Sequence, residues 1–328
     1  MESRINWGII GCGDVAEVKS GPAFYKTERS SLITVMRRNE DKVIDFAKRH
    51  GVAHWTTSAT KLIENELVNS VYIATPPSSH LEYALQAINA GKNVYVEKPM
   101  VLNSQEAQIL LDAVNSSKVK ATIAHYRREL PVFLKVKDLL ESNNIGKIIS
   151  AEINIQQTSN TSLIAKTDEN WRTNPEISGG GYFHDIAPHQ IDLMCYYFGA
   201  VEHIKKASRK EKGISNQDVS GEVLFKNGVN FSGNWDFNAL EDKDECKIQG
   251  ERGSISFSFY GNTVILVKDG ESESYHYENP EHVQQPMIEK TVGYFLGNNP
   301  NPCSVKEAAI VTHIMDVFCG NSYKYKKE

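Results

Sequence analysis

Paired cysteines are missing from this chain. Its five cysteines, Cys12, Cys195, Cys246, Cys303 and Cys319, stand far apart, and none has a neighbour at the short spacing of a zinc site or a redox dithiol. Also missing are an apolar run long enough to span a bilayer, a tail of one charge, an internal repeat and any low-complexity stretch. The formal net charge is -5, so the charge balance does not favour nucleic acid. Met1-Glu2-Ser3-Arg4 leads straight into an apolar run ending at Gly11, without a charged-then-apolar export pattern. These gaps predict reduced thiols, no bound metal, no nucleic-acid or membrane partner, and a cytoplasmic location.

What is present points to two domains, because 328 residues exceed what one hydrophobic core usually supports. The first third alternates short β-branched runs with amphipathic stretches, the pattern of a parallel sheet covered by helices on both faces. Strands are predicted at 5–10, 31–36, 70–74, 93–96 and 120–124, and helices at 41–50, 79–90 and 104–117, with Gly51 and Gly91 as helix C-terminal caps. After about residue 125 the pattern becomes one helix, 131–142, followed from Ile148 by alternating runs such as 222–225, 229–237, 254–259 and 263–267. Asn227-Gly228 separates two of them as a hairpin turn would. The expected fold class is α/β: a doubly wound parallel Rossmann sheet over residues 1–124, then an α+β domain over 125–328 with a large, open, mainly antiparallel sheet. Apolar alternation around Phe231, Trp235 and Phe237 suggests a sheet-to-sheet contact in a homo-oligomer.

Gly11-Cys12-Gly13-Asp14-Val15-Ala16 places G-x-G-x-x-A between a predicted strand and a helix. The first glycine permits the tight turn, the second lets the backbone approach a pyrophosphate, and the small last residue lets helix and strand pack closely. An acid usually follows roughly 20 residues beyond such a loop to bond the ribose of NAD. Here the stretch reads Val35-Met36-Arg37-Arg38-Asn39, without an acid. Arg37 can clamp a 2′-phosphate and Arg38 can stack on adenine or add charge, so NADP(H) is the expected cofactor, with NAD(H) as the alternative.

Four segments occur in order: Gly11–Ala16, then Ala74-Thr75-Pro76-Pro77-Ser78-Ser79-His80, then Glu97-Lys98-Pro99, then the run from Gly179-Gly180-Gly181 through Asp185 and His189 to Asp192. Together they resemble the signatures of the glucose-fructose oxidoreductase/inositol dehydrogenase (Gfo/Idh/MocA) family, over nearly the whole chain. The resemblance implies NAD(P)-dependent chemistry on sugars, inositols and related compounds, and a second-domain sheet used for dimer or tetramer contacts. It implies cofactor contacts from the Gly11–Ala16 loop, Thr75, Pro76, Pro77, His80, Glu97 and Lys98. His125-Tyr126-Arg127-Arg128 and the helix after Pro131 are also similar to the family. Asn170-Trp171-Arg172 is similar to members that reduce anhydro-sugars or oxidise sugars with NADP.

Hydride transfer at an alcohol or carbonyl needs a proton donor or acceptor at the oxygen and a group that stabilises its developing charge. Histidine suits the first task and lysine the second. Lys98 follows a predicted parallel strand, at the sheet edge where ligands of such folds bind. The resemblance implies that it reaches the reacting hydroxyl and that the Lys98–Pro99 bond is cis. Asp185 and His189, four residues apart, share a face of any helix that carries them, with His189 as acid/base and Asp185 orienting substrate or imidazole. A capping aspartate beside a buried histidine accounts for the same spacing, and the resemblance favours catalysis. Pro188 predicts that this helix begins near Ala187 or bends there. His184 departs from the apolar residue usual at that place in the family. Tyr126, Arg127, Trp171 and Arg172 are candidates to line a sugar pocket, with packing between domains as the alternative. Two other functions fit the same chain: redox-assisted glycoside cleavage, and non-catalytic cofactor sensing, which has no need of the lysine, aspartate and histidine together.

Overall fold

The β-branched runs near the start of the chain form strands because each is buried on both sides by helices. The computed structural model describes residues 4–158, 171–206 and 218–321. Asn170 lies outside the described residues. In chain order the first elements are β1 (Ile5–Ile10), a π-helical turn (Ala16–Ser20), α1 (Gly21–Lys26), β2 (Ser30–Met36), α2 (Glu40–Arg49), β3 (His54–Thr56), α3 (Ala59–Ile63), β4 (Ser70–Ile73), α4 (His80–Asn89), β5 (Asn93–Val96), α5 (Ser104–Asn115) and β6 (Ala121–Ile123). There follow α6 (Pro131–Glu141), β7 (Ile148–Gln156), α7 (Pro175–Ser178), α8 (Tyr182–Phe198), β8 (Val201–Lys206), β9 (Asp218–Phe225), β10 (Asn230–Asp236), β11 (Lys243–Gly250), β12 (Gly253–Phe257), β13 (Thr263–Lys268), β14 (Glu271–His276), α9 (Gln285–Leu296) and α10 (Val305–Cys319). Among the described residues no helix is long and apolar enough to cross a membrane.

Contacts divide the chain into two units: Met1–Arg127 with Pro280–Ala309, and Arg128–Asn279 with Ile310–Glu328. The division falls three residues after the expected boundary, and residues 280–309, expected with the second domain, group with the first. Long-range packing explains this return. Lys120 donates to the carbonyls of Tyr294 and Phe295 at the end of α9, at 2.7 and 3.0 Å, and Phe295 packs on Trp7 with ring centroids 5.6 Å apart.

In the first unit all strand pairs are parallel, in the order β3-β2-β1-β4-β5-β6. The order reverses between β1 and β4, where the carboxyl ends of open parallel sheets leave room for a nucleotide. Asn39 and Asn103 cap α2 and α5, each side chain accepting an amide N–H three residues on. The helix after the first strand passes into π register over Ala16–Ser20: the Gly21 N–H reaches back five residues to the Ala16 carbonyl, and Pro22 has no N–H with which to restore the α pattern.

The second unit holds an eight-stranded sheet, order β14-β13-β12-β11-β7-β10-β9-β8, in which β7 and β10 are the parallel pair and the other pairs are antiparallel. Ala151, Ile153, Ile155, Val223, Phe231, Trp235 and Ile248 are buried on one face. The Trp235 indole N–H donates to Gln190 of α8 at 2.5 Å, and its ring meets Phe183 edge-on at 5.2 Å. Phe231, Trp235 and Phe237, expected at an oligomer contact, are therefore core residues. Alternation identified an apolar face, but α8 supplies its cover within the unit. The opposite face carries exposed Glu152, Glu222 and Lys247, with Lys247 opposite Glu152.

Of the two expectations for α8, a start near Ala187 is corrected, because the helix starts at Tyr182, five residues earlier, with Pro188 in its interior. Gly181, at φ +85°, ends the preceding turn, and the apolar residues Phe183, Ile186, Ile191 and Leu193 are all buried. That burial outweighs the missing bond to the His184 carbonyl, a cost of about 3 kcal/mol. The same helix is held by Arg128, whose guanidinium donates twice to Asp192, at 2.9 and 2.7 Å, with both side chains almost fully buried. Asp192→Ala leaves that guanidinium buried without its counter-ion and is expected to cost about 3–5 kcal/mol of stability, measured by denaturant unfolding. Wild-type stability in this variant would show the pair to be dispensable.

Candidate active site

In the first unit the loop after β1 has the geometry that a pyrophosphate seat requires. Gly11 has φ +93°, and a Cβ there would stand 2.8 Å from the backbone of Ala74 and Thr75. No other residue type fits that close approach. At Gly13 a Cβ would meet nothing within 4 Å, so the space before the second glycine is open. Cys12 and Ala16 are buried, Val15 is half-buried and Asp14 is exposed. Burial pushes the Cys12 thiol up to about 11, against the opposing charge of Arg37. Arg37, just past β2, donates to the Cys12 carbonyl at 3.3 Å, while Arg38 is exposed. The loop and Arg37 thus fit a dinucleotide.

The loops after β4 and β5 meet through His80. One of its ring nitrogens is 2.7 Å from the Thr75 carbonyl oxygen and the other 3.0 Å from that of Pro99. Burial lowers the pKa of this imidazole below the ordinary histidine value, and the two carbonyls oppose the shift. Both ring nitrogens therefore face backbone, and His80 shapes the loops that carry Thr75, Pro76 and Pro77 on one side and Lys98 on the other. Ser79 ties the same turn by donating to Thr75 Oγ1 and to the Pro76 carbonyl, at 2.8 and 3.0 Å. The Lys98–Pro99 bond is cis. Glu97 is buried at the end of β5, and Lys98 is half-buried. Tyr126 and Arg127 follow β6, both mostly buried, with the guanidinium 5.8 Å from the tyrosine ring centre.

In the second unit α8 carries Asp185 and His189 one turn apart, with His189 buried. Arg172 donates to Asp185 at 2.8 Å and lies 4.5 Å over the Trp171 ring. Arg172, expected to touch substrate, is thus engaged with the carboxylate that the sequence marks as functional. The ion pair and the aromatic face restrict the directions in which Asp185 can present its oxygens.

Two residues were given no role from the sequence. Gln157, just past β7, is fully buried, and its backbone is tied to Asp236 and Ala239. Neither polar atom of its side chain has a hydrogen-bond partner among the described residues. A buried amide with both donor and acceptor unused suits the hydroxyls of a ligand. Asp192 could have been flagged by its spacing, three residues beyond His189 on the same helix face. Gln157 offers no comparable local signal.

A parallel sheet reversing at β1/β4 with a glycine loop at that point makes the first unit a dinucleotide-binding domain, and the second unit separately carries half-buried Asp185 and buried His189 on α8. Residues 5–125 match the oxidoreductase family with an NAD-binding Rossmann fold, and residues 133–256 match the GFO/IDH/MocA C-terminal domain. The chain belongs to this family and is a NAD(P)-dependent dehydrogenase or reductase. It is 78% identical over 320 residues to Oxidoreductase P35 of Formosa agariphila, covering 98% of this chain and 100% of that one. It is 24% identical over 254 residues to a 1,5-anhydro-D-fructose reductase of Ensifer adhaerens, covering 76% and 74% of the two chains. A levoglucosan dehydrogenase solved with NADH and levoglucosan shares the fold, with a TM-score of 0.84 at 20% identity over 97% of this chain and 96% of that one.

Proposed function

We propose that this oxidoreductase prefers NADP(H) and transfers a hydride between nicotinamide and a hydroxyl- or carbonyl-bearing carbon of a sugar or polyol, with NAD(H) as the weaker cofactor. The observation that carries the reading is the dinucleotide loop of the first unit, flanked by Arg37 and with no acid over residues 35–39; the second unit carries Asp185 and His189 one turn apart on α8. Bound nicotinamide supplies or accepts the hydride. Lys98 stabilises charge on the reacting oxygen, His189 moves the proton there, and Asp185, held by Arg172, orients the substrate or the imidazole. Trp171 offers a face to a sugar ring, and Tyr126 and Arg127 are further candidates for substrate contacts. The 1,5-anhydro-D-fructose reductase and the levoglucosan dehydrogenase support a sugar as substrate. We place the protein in the cytoplasm, where its five free cysteines stay reduced, as a homodimer or homotetramer through the sheet of the second domain.

The test is NADPH oxidation and NADP reduction against sugars, inositols, keto-sugars, levoglucosan and 1,5-anhydro-D-fructose, followed at the nicotinamide absorbance. Turnover of at least one member with NADP(H) is expected, and silence across the panel counts against the assignment. On the active sugar, Gln157→Leu is expected to raise KM about tenfold or more and leave the NADPH Kd within about twofold. If Gln157 binds no substrate, leucine simply removes two unsatisfied polar atoms, and the variant gains stability with KM unchanged.

A further inference from the structure

The carboxylate of Glu97 is the centre of a buried polar node in the first unit. Its Oε1 accepts from the Tyr72 hydroxyl at 2.6 Å and from the Gln284 side-chain amide at 2.7 Å. Its Oε2 accepts the backbone N–H of Lys98 at 3.2 Å. A carboxylate only accepts, so Gln284 must present its NH₂ to it, which fixes the orientation of the amide. Tyr72 is fully buried, and burial, with the Glu97 charge next, raises its pKa well above the ordinary tyrosine value, so it remains a donor.

The node continues to the phosphate loop. The Tyr72 hydroxyl, whose own proton goes to Glu97, accepts from Ser20 Oγ at 3.1 Å. The Gln284 backbone N–H donates to the Lys19 carbonyl at 3.2 Å. Both attachments fall on or beside the π-helical turn Ala16–Ser20, directly after the glycine loop. One residue just ahead of α9 thus bonds both the turn behind the pyrophosphate seat and the carboxylate that holds the Lys98 peptide.

We infer that Gln284 and Tyr72 are positioning residues for Lys98: they lock the Glu97 carboxylate and make the phosphate-loop helix and the Lys98 turn one hydrogen-bonded body. Neither has to touch substrate. The catalytic consequence rests on the role proposed above for Lys98; the structural consequence does not.

The test uses Gln284→Leu and Tyr72→Phe in the full chain. Hydrogen exchange of the Lys98 amide, read by NMR, is expected to quicken about tenfold or more in each variant, with the amides of β1 unchanged. On a sugar that the wild type turns over, kcat is expected to fall about 5- to 50-fold, with KM for NADPH within about threefold. Adding Lys98→Met to either variant is expected to cost no more than Lys98→Met alone. Unchanged Lys98 exchange, or losses that add fully to that of Lys98→Met, would overturn the inference. If Lys98→Met itself keeps wild-type turnover, the role of Lys98 fails, and the exchange rates still decide whether the node holds its peptide. Should Gln284→Leu not fold, Tyr72→Phe, which keeps the buried ring, decides the same question.

Discussion

Replacing His189 by asparagine or Lys98 by methionine is expected to lower turnover by roughly 10²- to 10⁴-fold while NADPH still binds. The magnitude follows from the tasks assigned. In the proposed mechanism His189 carries the proton of the reacting oxygen and Lys98 stabilises its developing charge, so each substitution removes one of those tasks. Cofactor affinity is expected to survive because neither substitution touches the proposed pyrophosphate seat at Gly11, Gly13 and the following helix turn. Turnover is measured on a sugar active with the wild type, and Kd by NADPH fluorescence. Wild-type turnover in either variant removes that residue from the mechanism.

Arg37→Glu is expected to weaken NADPH binding by about 100-fold and to shift the preference toward NADH. Arg37 sits past the end of β2 with its guanidinium on the Cys12 carbonyl, so its charge lies at the phosphate loop. A carboxylate in its place would repel a 2′-phosphate and could accept from the ribose hydroxyl of NAD. The neighbouring Arg38 is exposed and screened, so Arg38→Ala is expected to change affinity far less. Equal or tighter binding of NAD than of NADP by the wild type would contradict the assignment at its root.

The dinucleotide loop was legible in the sequence because its requirements are local: a positive φ at Gly11, open space at Gly13, and a strand and helix on either side. The shared face of Asp185 and His189 was legible for the same reason, since helical spacing depends on nothing distant. The start of α8 was misread because buried Phe183 and Ile186 outweigh the local preference of Pro188. Alternation placed Phe231 and Trp235 on one face of a sheet, but only the packing of α8 reveals which face is covered. Gln284 was invisible because its partner Glu97 lies 187 residues away in the chain. The short elements α1, β3 and α3 were missed for a related reason, as few residues leave little periodicity to read.

The central claim is that this chain moves a hydride between nicotinamide and a sugar or polyol carbon. Its most direct test is a single-turnover reaction with NADPH deuterated at C4 of the nicotinamide, with the sugar product analysed by mass spectrometry and NMR. Deuterium at one carbon that bears a hydroxyl in the product is the expected result. NADPH consumption with no label on carbon, or no transfer to any carbonyl-bearing sugar or keto-polyol offered, would contradict it.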